Sequence, residues 1–202
     1  MVYSTMGEIW AVILAAGESK RMGYPKMLLP FHNSTMIECV ITSITKSNVD
    51  KILIVLGAEK EALTQLAEKL HIEYCLNDNF KEGMLSSVQC GFKTMPSACK
   101  ASFVFQGDQP LITFNTINAL IDGFFSSGKG IIIPVYKKKR GHPILIDMKY
   151  RSEIDKLSHT KGLRSLSYKF SSDVLEVETD DSGILRDFDT FDQYTKGINL
   201  IN

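Results

Sequence analysis

No charge of either sign predominates in these 202 residues: 23 lysines and arginines face 23 aspartates and glutamates, and the sequence pI is near 6.9. That balance gives no general attraction to a polyanion, so nucleic acid and anionic membrane are disfavoured as partners and a small-molecule substrate is expected. No apolar run is long enough to span a bilayer. The opening segment Met1-Val-Tyr-Ser-Thr-Met-Gly7 lacks the charged start and apolar core of a signal peptide, which makes the cytoplasm the expected location. Cys39, Cys75, Cys90 and Cys99 form no C-x-x-C pair, and His32, His71, His142 and His159 have no ligand spacing with them. A structural zinc is therefore disfavoured, the thiols read as free and largely buried, and any metal is expected on carboxylates. Internal repeats, low-complexity tracts and Pro/Ser/Gly-rich linkers are also missing, so a single domain over 1–202 is expected.

What the chain does have is the stretch Leu14-Ala-Ala-Gly-Glu-Ser-Lys-Arg-Met-Gly-Tyr-Pro-Lys-Met-Leu-Leu29, directly behind the apolar run Ile9–Leu14. Small residues at Ala15, Ala16 and Gly17 let backbone N–H groups approach an anion closely, and Arg21 and Lys26 add positive charge. This is chemistry suited to phosphate. Gly17 to Gly23 followed by Lys26 nevertheless lacks the Gly-Lys-Ser/Thr of a Walker loop and the G-x-G-x-x-G of a dinucleotide fold.

Further apolar runs at 51–56, 72–76, 101–106 and 130–135 have strand length and are rich in Val, Ile and Phe. Between them, Met36, Ile37, Val40, Ile41 and Ile44 recur at helical spacing, as do Ala62, Leu63, Leu66, Ala67 and Leu70, then Ile117, Leu120, Ile121 and Phe124. The alternation predicts an α/β fold, a mostly parallel sheet with helices on both faces, and ligand loops gathered at the strands' carboxyl ends. From Lys137 onward the alternation fades. There the basic run 137–140, Gly141-His142-Pro143 and a β-rich stretch 144–146 read as a small insertion packed on the sheet.

The loop Leu14-Ala15-Ala16-Gly17-x-Ser19-x-Arg21-Met22-Gly23-x-x-Lys26-x-Leu28-Leu29 resembles the signature of nucleotidylyltransferases of the molybdopterin cytidylyltransferase and guanylyltransferase type. Other elements follow in that family's order. Asn77 to Gly83 leading into Ser86-Ser87-Val88 resembles its base and ribose segment, with Asp78 and Phe80 where Pro and Trp are usual. Gly107-Asp108-Gln109-Pro110 resembles its metal-binding element, and Gly141-His142-Pro143 a short element of the cytidylyl branch. Asp187-Phe188-Asp189-Thr190 resembles its late Asp-x-Asp-Thr, with Phe191 where Pro is usual.

The resemblance implies a Rossmann-like nucleotidylyltransferase fold, with a donor-binding half over roughly 1–112 and an acceptor-binding half over roughly 113–202. It implies transfer of CMP from CTP to the phosphate of molybdopterin, releasing pyrophosphate, with Mg²⁺ on Asp108 and Asp189, or on Asp187 if the register shifts. Lys26, Arg21 and Asp108 would be catalytic. Leu14, Ala15, Ala16, Gly17, Ser19, Gly23, Gly57, Gly83, Ser86 and Ser87 would bind nucleotide, and Asn77, His142 and Arg164 the acceptor. Three alternatives stay open: GTP as donor, a sugar phosphate as acceptor, or an accessory role in delivering cofactor to a molybdenum hydroxylase apoenzyme or its chaperone.

Overall fold

The computed structural model describes residues 7–20 and 22–199. The elements run β1 (Glu8–Ala15), β2 (Pro30–Phe31), β3 (Ser34–Thr35), α1 (Met36–Thr45), β4 (Lys51–Leu56), α2 (Lys60–Lys69), β5 (Glu73–Leu76), α3 (Met84–Thr94), β6 (Cys99–Gln106) and α4 (Phe114–Ser127). The second half continues with β7 (Ile131–Tyr136), β8 (Lys139–Arg140), β9 (Ile144–Asp147), α5 (Arg151–Asp155), α6 (Arg164–Lys169), β10 (Val174–Glu178) and α7 (Phe191–Asn199). The five apolar runs are β1, β4, β5, β6 and β7. Together with β9 and β10 they form one sheet in the order β10-β7-β9-β6-β1-β4-β5, with β8 paired to the end of β7.

The central strand shows why both faces must be covered. Ile9, Ala11, Ile13 and Ala15 enter one core with α1, α2 and α4; Trp10, Val12, Leu14 and Ala16 enter the other with α3, α5 and α6. Successive side chains point to opposite faces, so a strand apolar at every position is stable only between two layers. Helix α1 buries all five of its expected positions, held at its start by a reciprocal cap between Thr35 and Glu38. Helix α2 is more peripheral. Only Leu63 and Ala67 are fully buried on it, and Leu70 is exposed.

One expectation is corrected. The stretch 144–146 does not pack on the sheet but enters it: β9 lies between β6 and β7 and is antiparallel to both, while β1, β4, β5 and β6 are mutually parallel. The consequence is positional. Ile144 pairs with Val104 near the carboxyl end of β6, so the residues just before β9, including His142, emerge at the same sheet edge as the loops after β1, β4, β5 and β6. Among the described residues no helix is long and apolar enough to cross a membrane.

Candidate active site

The signature loop leaves β1 at the sheet's carboxyl edge and is held by its own backbone. Met22 N–H and Gly23 N–H both donate to the Ser19 carbonyl, at 2.9 and 3.1 Å, and Lys26 N–H donates to Ser19 Oγ at 3.2 Å. Beneath it, Ala58 N–H donates to the Ala16 carbonyl at 3.2 Å. A Cβ at Gly57 would stand 2.6 Å from that carbonyl oxygen, so glycine is needed for the β4 loop to lie against the signature loop. Burial pushes the Glu59 carboxyl up, against the opposing pull of the Ser19 hydroxyl and the Lys26 charge.

Lys26 begins a single 3-10 turn, and its ammonium reaches across the edge to two carboxylates. Nζ is 2.5 Å from Asp108 Oδ2 and 2.9 Å from Asp189 Oδ1. Burial by itself would lower the lysine pKa; the Asp108 charge and hydrogen bond, with the hydrogen bond and charge of Asp189, outweigh it and raise the pKa above its usual 10.5. Asp108 follows β6 through Gly107, whose N–H donates to the Leu14 carbonyl at 3.2 Å. Asp189 arrives differently. Thr190 Oγ1 accepts from Gln193 N–H while Gln193 Oε1 accepts from Thr190 N–H and Asp189 N–H, a capping box that starts α7 and leaves the Asp189 carboxylate to face Lys26.

The Asp187–Asp189 segment is pinned by Phe188, whose ring packs on Phe31 at a centroid distance of 5.4 Å, within a small core that also holds Met22, Met36 and Tyr194. Tyr194 Oη donates to the Pro30 carbonyl at 2.6 Å. Gly197 of α7 lies against the Phe188 ring so closely that an added Cβ would overlap it. Gly197→Ala is therefore expected to destabilise by about 1–3 kcal/mol despite alanine's better helix propensity. A thermal melt checks this; an unchanged or raised Tm would refute the packing argument.

On the other side of the opening, Asn77 is buried and fully engaged. Its Nδ2 donates to Ser86 Oγ and Ser87 Oγ at 2.9 and 3.0 Å, and its Oδ1 accepts from Asn79 N–H at 3.0 Å. Ser86 Oγ is within donating reach of the Gly83 and Asn79 carbonyls, so that hydroxyl is consumed inside the loop. Gly83 has φ 101°, which admits the sharp entry into α3 that a side chain would strain.

These parts enclose a cavity of about 370 Å³ lined by Leu14, Ala16, Gly17, Lys26, Met27, Phe80, Gly83, Met84, Ser87, Gln106, Asp108, Asp187 and Asp189. A somewhat larger cleft of about 470 Å³ lies between α3 and α5, away from the strand ends and their carboxylates. Of the expected site residues, Leu14, Ala16, Gly17, Lys26, Gly83, Ser87, Asp108 and Asp189 meet around one space. Ala15, Ser19, Gly23, Gly57, Asn77 and Ser86 do not line it. Arg21 lies outside the described residues. Arg164 is exposed at the start of α6 and does not line the cavity, although the chain before it turns against the opposite rim, where His159 Nδ1 is 3.3 Å from the Glu82 carbonyl oxygen.

His142 sits behind the wall. Its N–H donates to the Ile184 carbonyl at 3.0 Å, and its buried Nδ1 has no hydrogen-bond partner among the described residues. Burial holds its pKa below the usual value against a Val104 backbone contact and the charges of Asp108 and Asp187. Sequence reasoning missed Met27, Met84 and Gln106 as lining residues. Gln106 was findable as the last residue of a strand ending at the site edge, whereas Met27 and Met84 carry no chemical signal of their own.

A family model for the MobA-like NTP transferase domain matches residues 11–174, which span the glycine loop, Asp108 and the His142 turn. The chain belongs to the MobA-like NTP transferase family. It is 26% identical over 190 residues to the molybdenum cofactor cytidylyltransferase of Escherichia coli K12, covering 94% of this chain and 95% of that one. The crystal structure of Rv0371c from Mycobacterium tuberculosis H37Rv superposes with a TM-score of 0.85 at 24% identity, covering 96% of this chain and 98% of that one. A crystal structure of Rv0371c in complex with manganese gives a TM-score of 0.79 at 23% identity, over 95% and 98%. The mixed, mostly parallel sheet is the fold these structures share.

Proposed function

We propose that the chain transfers CMP from CTP to the terminal phosphate of molybdopterin, releasing pyrophosphate, in the cytoplasm and with Mg²⁺. The observation that carries this reading is Lys26 held between Asp108 and Asp189 at the mouth of a cavity walled by the signature loop. Similarity to the Escherichia coli cytidylyltransferase along nearly the whole chain supports the choice of donor and acceptor.

Among the described residues no group of three or more His, Cys, Asp and Glu is arranged around a single point as metal ligands. Asp108, Asp187 and Asp189 nonetheless all line the cavity, and one or two carboxylates suffice for Mg²⁺, which shares phosphate oxygens and keeps waters. Manganese in the Rv0371c complex fits the same hard-oxygen preference. Asp108 and Asp189 would hold the ion, which when bound neutralises charge on the triphosphate.

The remaining work falls to the chain. The loop from Ala16 to Lys20 presents backbone N–H groups to the β- and γ-phosphates, and Arg21 adds charge to the same departing group. Lys26 stabilises the charge that grows on the α-phosphoryl oxygens as the pterin phosphate oxygen attacks phosphorus and the bond to pyrophosphate breaks. Ser87 and Gly83 face the base and ribose, with Phe80 and Met84 as apolar walls. Asn77 is better placed to hold Ser86 and Ser87 than to touch the acceptor, while His142 and Arg164 remain candidates for the acceptor side.

The test is pyrophosphate release from each of the four ribonucleoside triphosphates with Mg²⁺, with and without molybdopterin. Release from CTP only when the pterin is present is the expected result. A GTP preference would move the activity to the sister reaction. Folded protein that turns over no triphosphate would sink the proposal in favour of a sugar-phosphate acceptor or a delivery role.

A further inference from the structure

Cys75 and Cys90 take no part in the chemistry above, yet their sulfurs lie 3.6 Å apart. Cys75 is on β5, the edge strand of the sheet, and Cys90 is on α3; both are half-buried, so small solutes reach them. Their positions relative to the cavity are specific. Cys75 precedes Asn77 by two residues along the extended chain, and Cys90 follows Ser87 and Ser86 by three and four residues, one turn further along α3. The thiol pair and the Asn77 bonds to Ser86 and Ser87 are thus successive ties between the same strand and the same helix.

We propose that Cys75 and Cys90 form a reversible disulfide modification site for oxidants of the peroxide class, and that closing it displaces the first turn of α3, which carries Ser87 to the cavity. A disulfide brings the sulfurs to about 2.0 Å, so the strand and helix must adjust toward each other by up to about 1.5 Å.

The chemistry divides between the two thiols. The contact with Cys90, in which either sulfur can donate, holds Cys75 down at about 7, and the same contact with burial pushes Cys90 up. The Cys75 thiolate attacks one peroxide oxygen, the O–O bond breaks, and the departing hydroxide takes up the proton that the Cys75 thiol had released, leaving water and a sulfenic acid. The Cys90 sulfur then attacks the Cys75 sulfur, the S–O bond breaks, and a second water leaves with the Cys90 proton. Two thiols are oxidised and one peroxide is reduced to two waters. The remaining cysteines serve as internal controls: burial pushes Cys99 up to about 12 and raises Cys39.

Disulfide formation is independent of the proposed reaction, whereas its effect on the cavity rests on reading Ser87 as a nucleotide contact. The full chain, treated with hydrogen peroxide and then alkylated, should lose two of its four thiols together. Non-reducing peptide mapping should find Cys75 joined to Cys90 and released by dithiothreitol, and neither Cys75→Ser nor Cys90→Ser should form a bond. Bonding to Cys39 or Cys99, linkage between chains, or oxidation of a single cysteine beyond the sulfenic stage with no bond would overturn the site. CTP affinity of the oxidised protein should fall by about fivefold or more, with no change in peroxide-treated Cys90→Ser. Linkage with unaltered CTP affinity would refute the displacement of α3. Reduced protein that binds no CTP would count against the nucleotide reading, with peptide mapping still deciding the disulfide.

Discussion

Lys26→Ala should lower kcat by about 10²–10³-fold, the size expected when a preorganised donor to a developing oxyanion is removed. The lysine meets that requirement in two ways. Its Nζ is drawn to the cavity by Asp108 and Asp189 before any substrate arrives. Its pKa lies above the usual 10.5, so the ammonium and its pairing are fully present at neutral pH and are lost only as pH rises through the raised value.

The stability cost of the same substitution should be only about 1–2 kcal/mol, because the two carboxylates it leaves behind line a cavity that water can enter. Mg²⁺ should moderate that cost further. The ammonium and the metal compete for the same oxygens in the nucleotide-free protein, so Lys26→Ala should bind Mg²⁺ more tightly than wild type and gain more in Tm from it. Steady-state kinetics beside thermal melts with and without Mg²⁺ decide this. Near-wild-type kcat, or equal Mg²⁺ affinity in the two proteins, would show that Lys26 does not have the role assigned to it.

Asp108→Asn should reduce turnover at least as much, about 10³-fold. The change keeps shape but removes a hard anionic ligand and half of the lysine's counter-charge together. Raising Mg²⁺ should recover only part of the loss, since Asp189 and Asp187 remain. The order of effects is informative. If Asp187→Asn proved the more damaging variant across a Mg²⁺ titration, the metal would belong on Asp187, and the Lys26 contact with Asp189 would be a positioning contact only.

How much of this was legible in the chain follows from which interactions are local. The signature loop was legible because its chemistry is continuous in sequence: small residues, a turn and a lysine, all behind a strand that is apolar from Ile9 to Ala15. Asp108 was legible for the same reason, as a carboxylate immediately after a buried strand. Strand β9 was not. Its four residues carry no pattern that separates a strand inside the sheet from a hairpin resting on it, and its place is set by pairing with β6 and β7 at once. The reading of Asn77 as an acceptor contact came from resemblance, and the structure shows its amide spent on Ser86, Ser87 and Asn79. Phe191 illustrates the reverse. It departs from the family's usual Pro, yet α7 still starts there because Thr190 and Gln193 supply the cap.

The place of β9 has a consequence for how the protein is made. The chain from β1 to β6 lays down four parallel strands in the order it is synthesised. The β6 flank that β9 will occupy then stays unpaired while α4, β7 and β8 are added. Only when 144–147 emerge is that flank closed, from a strand whose other side must take up β7 in the same act. Nascent chains whose last emerged residue lies between 107 and 143 therefore present an open, strongly apolar strand edge, the form most prone to pair with a neighbour, and chaperone capture of stalled chains should peak in that window and collapse once β9 is out.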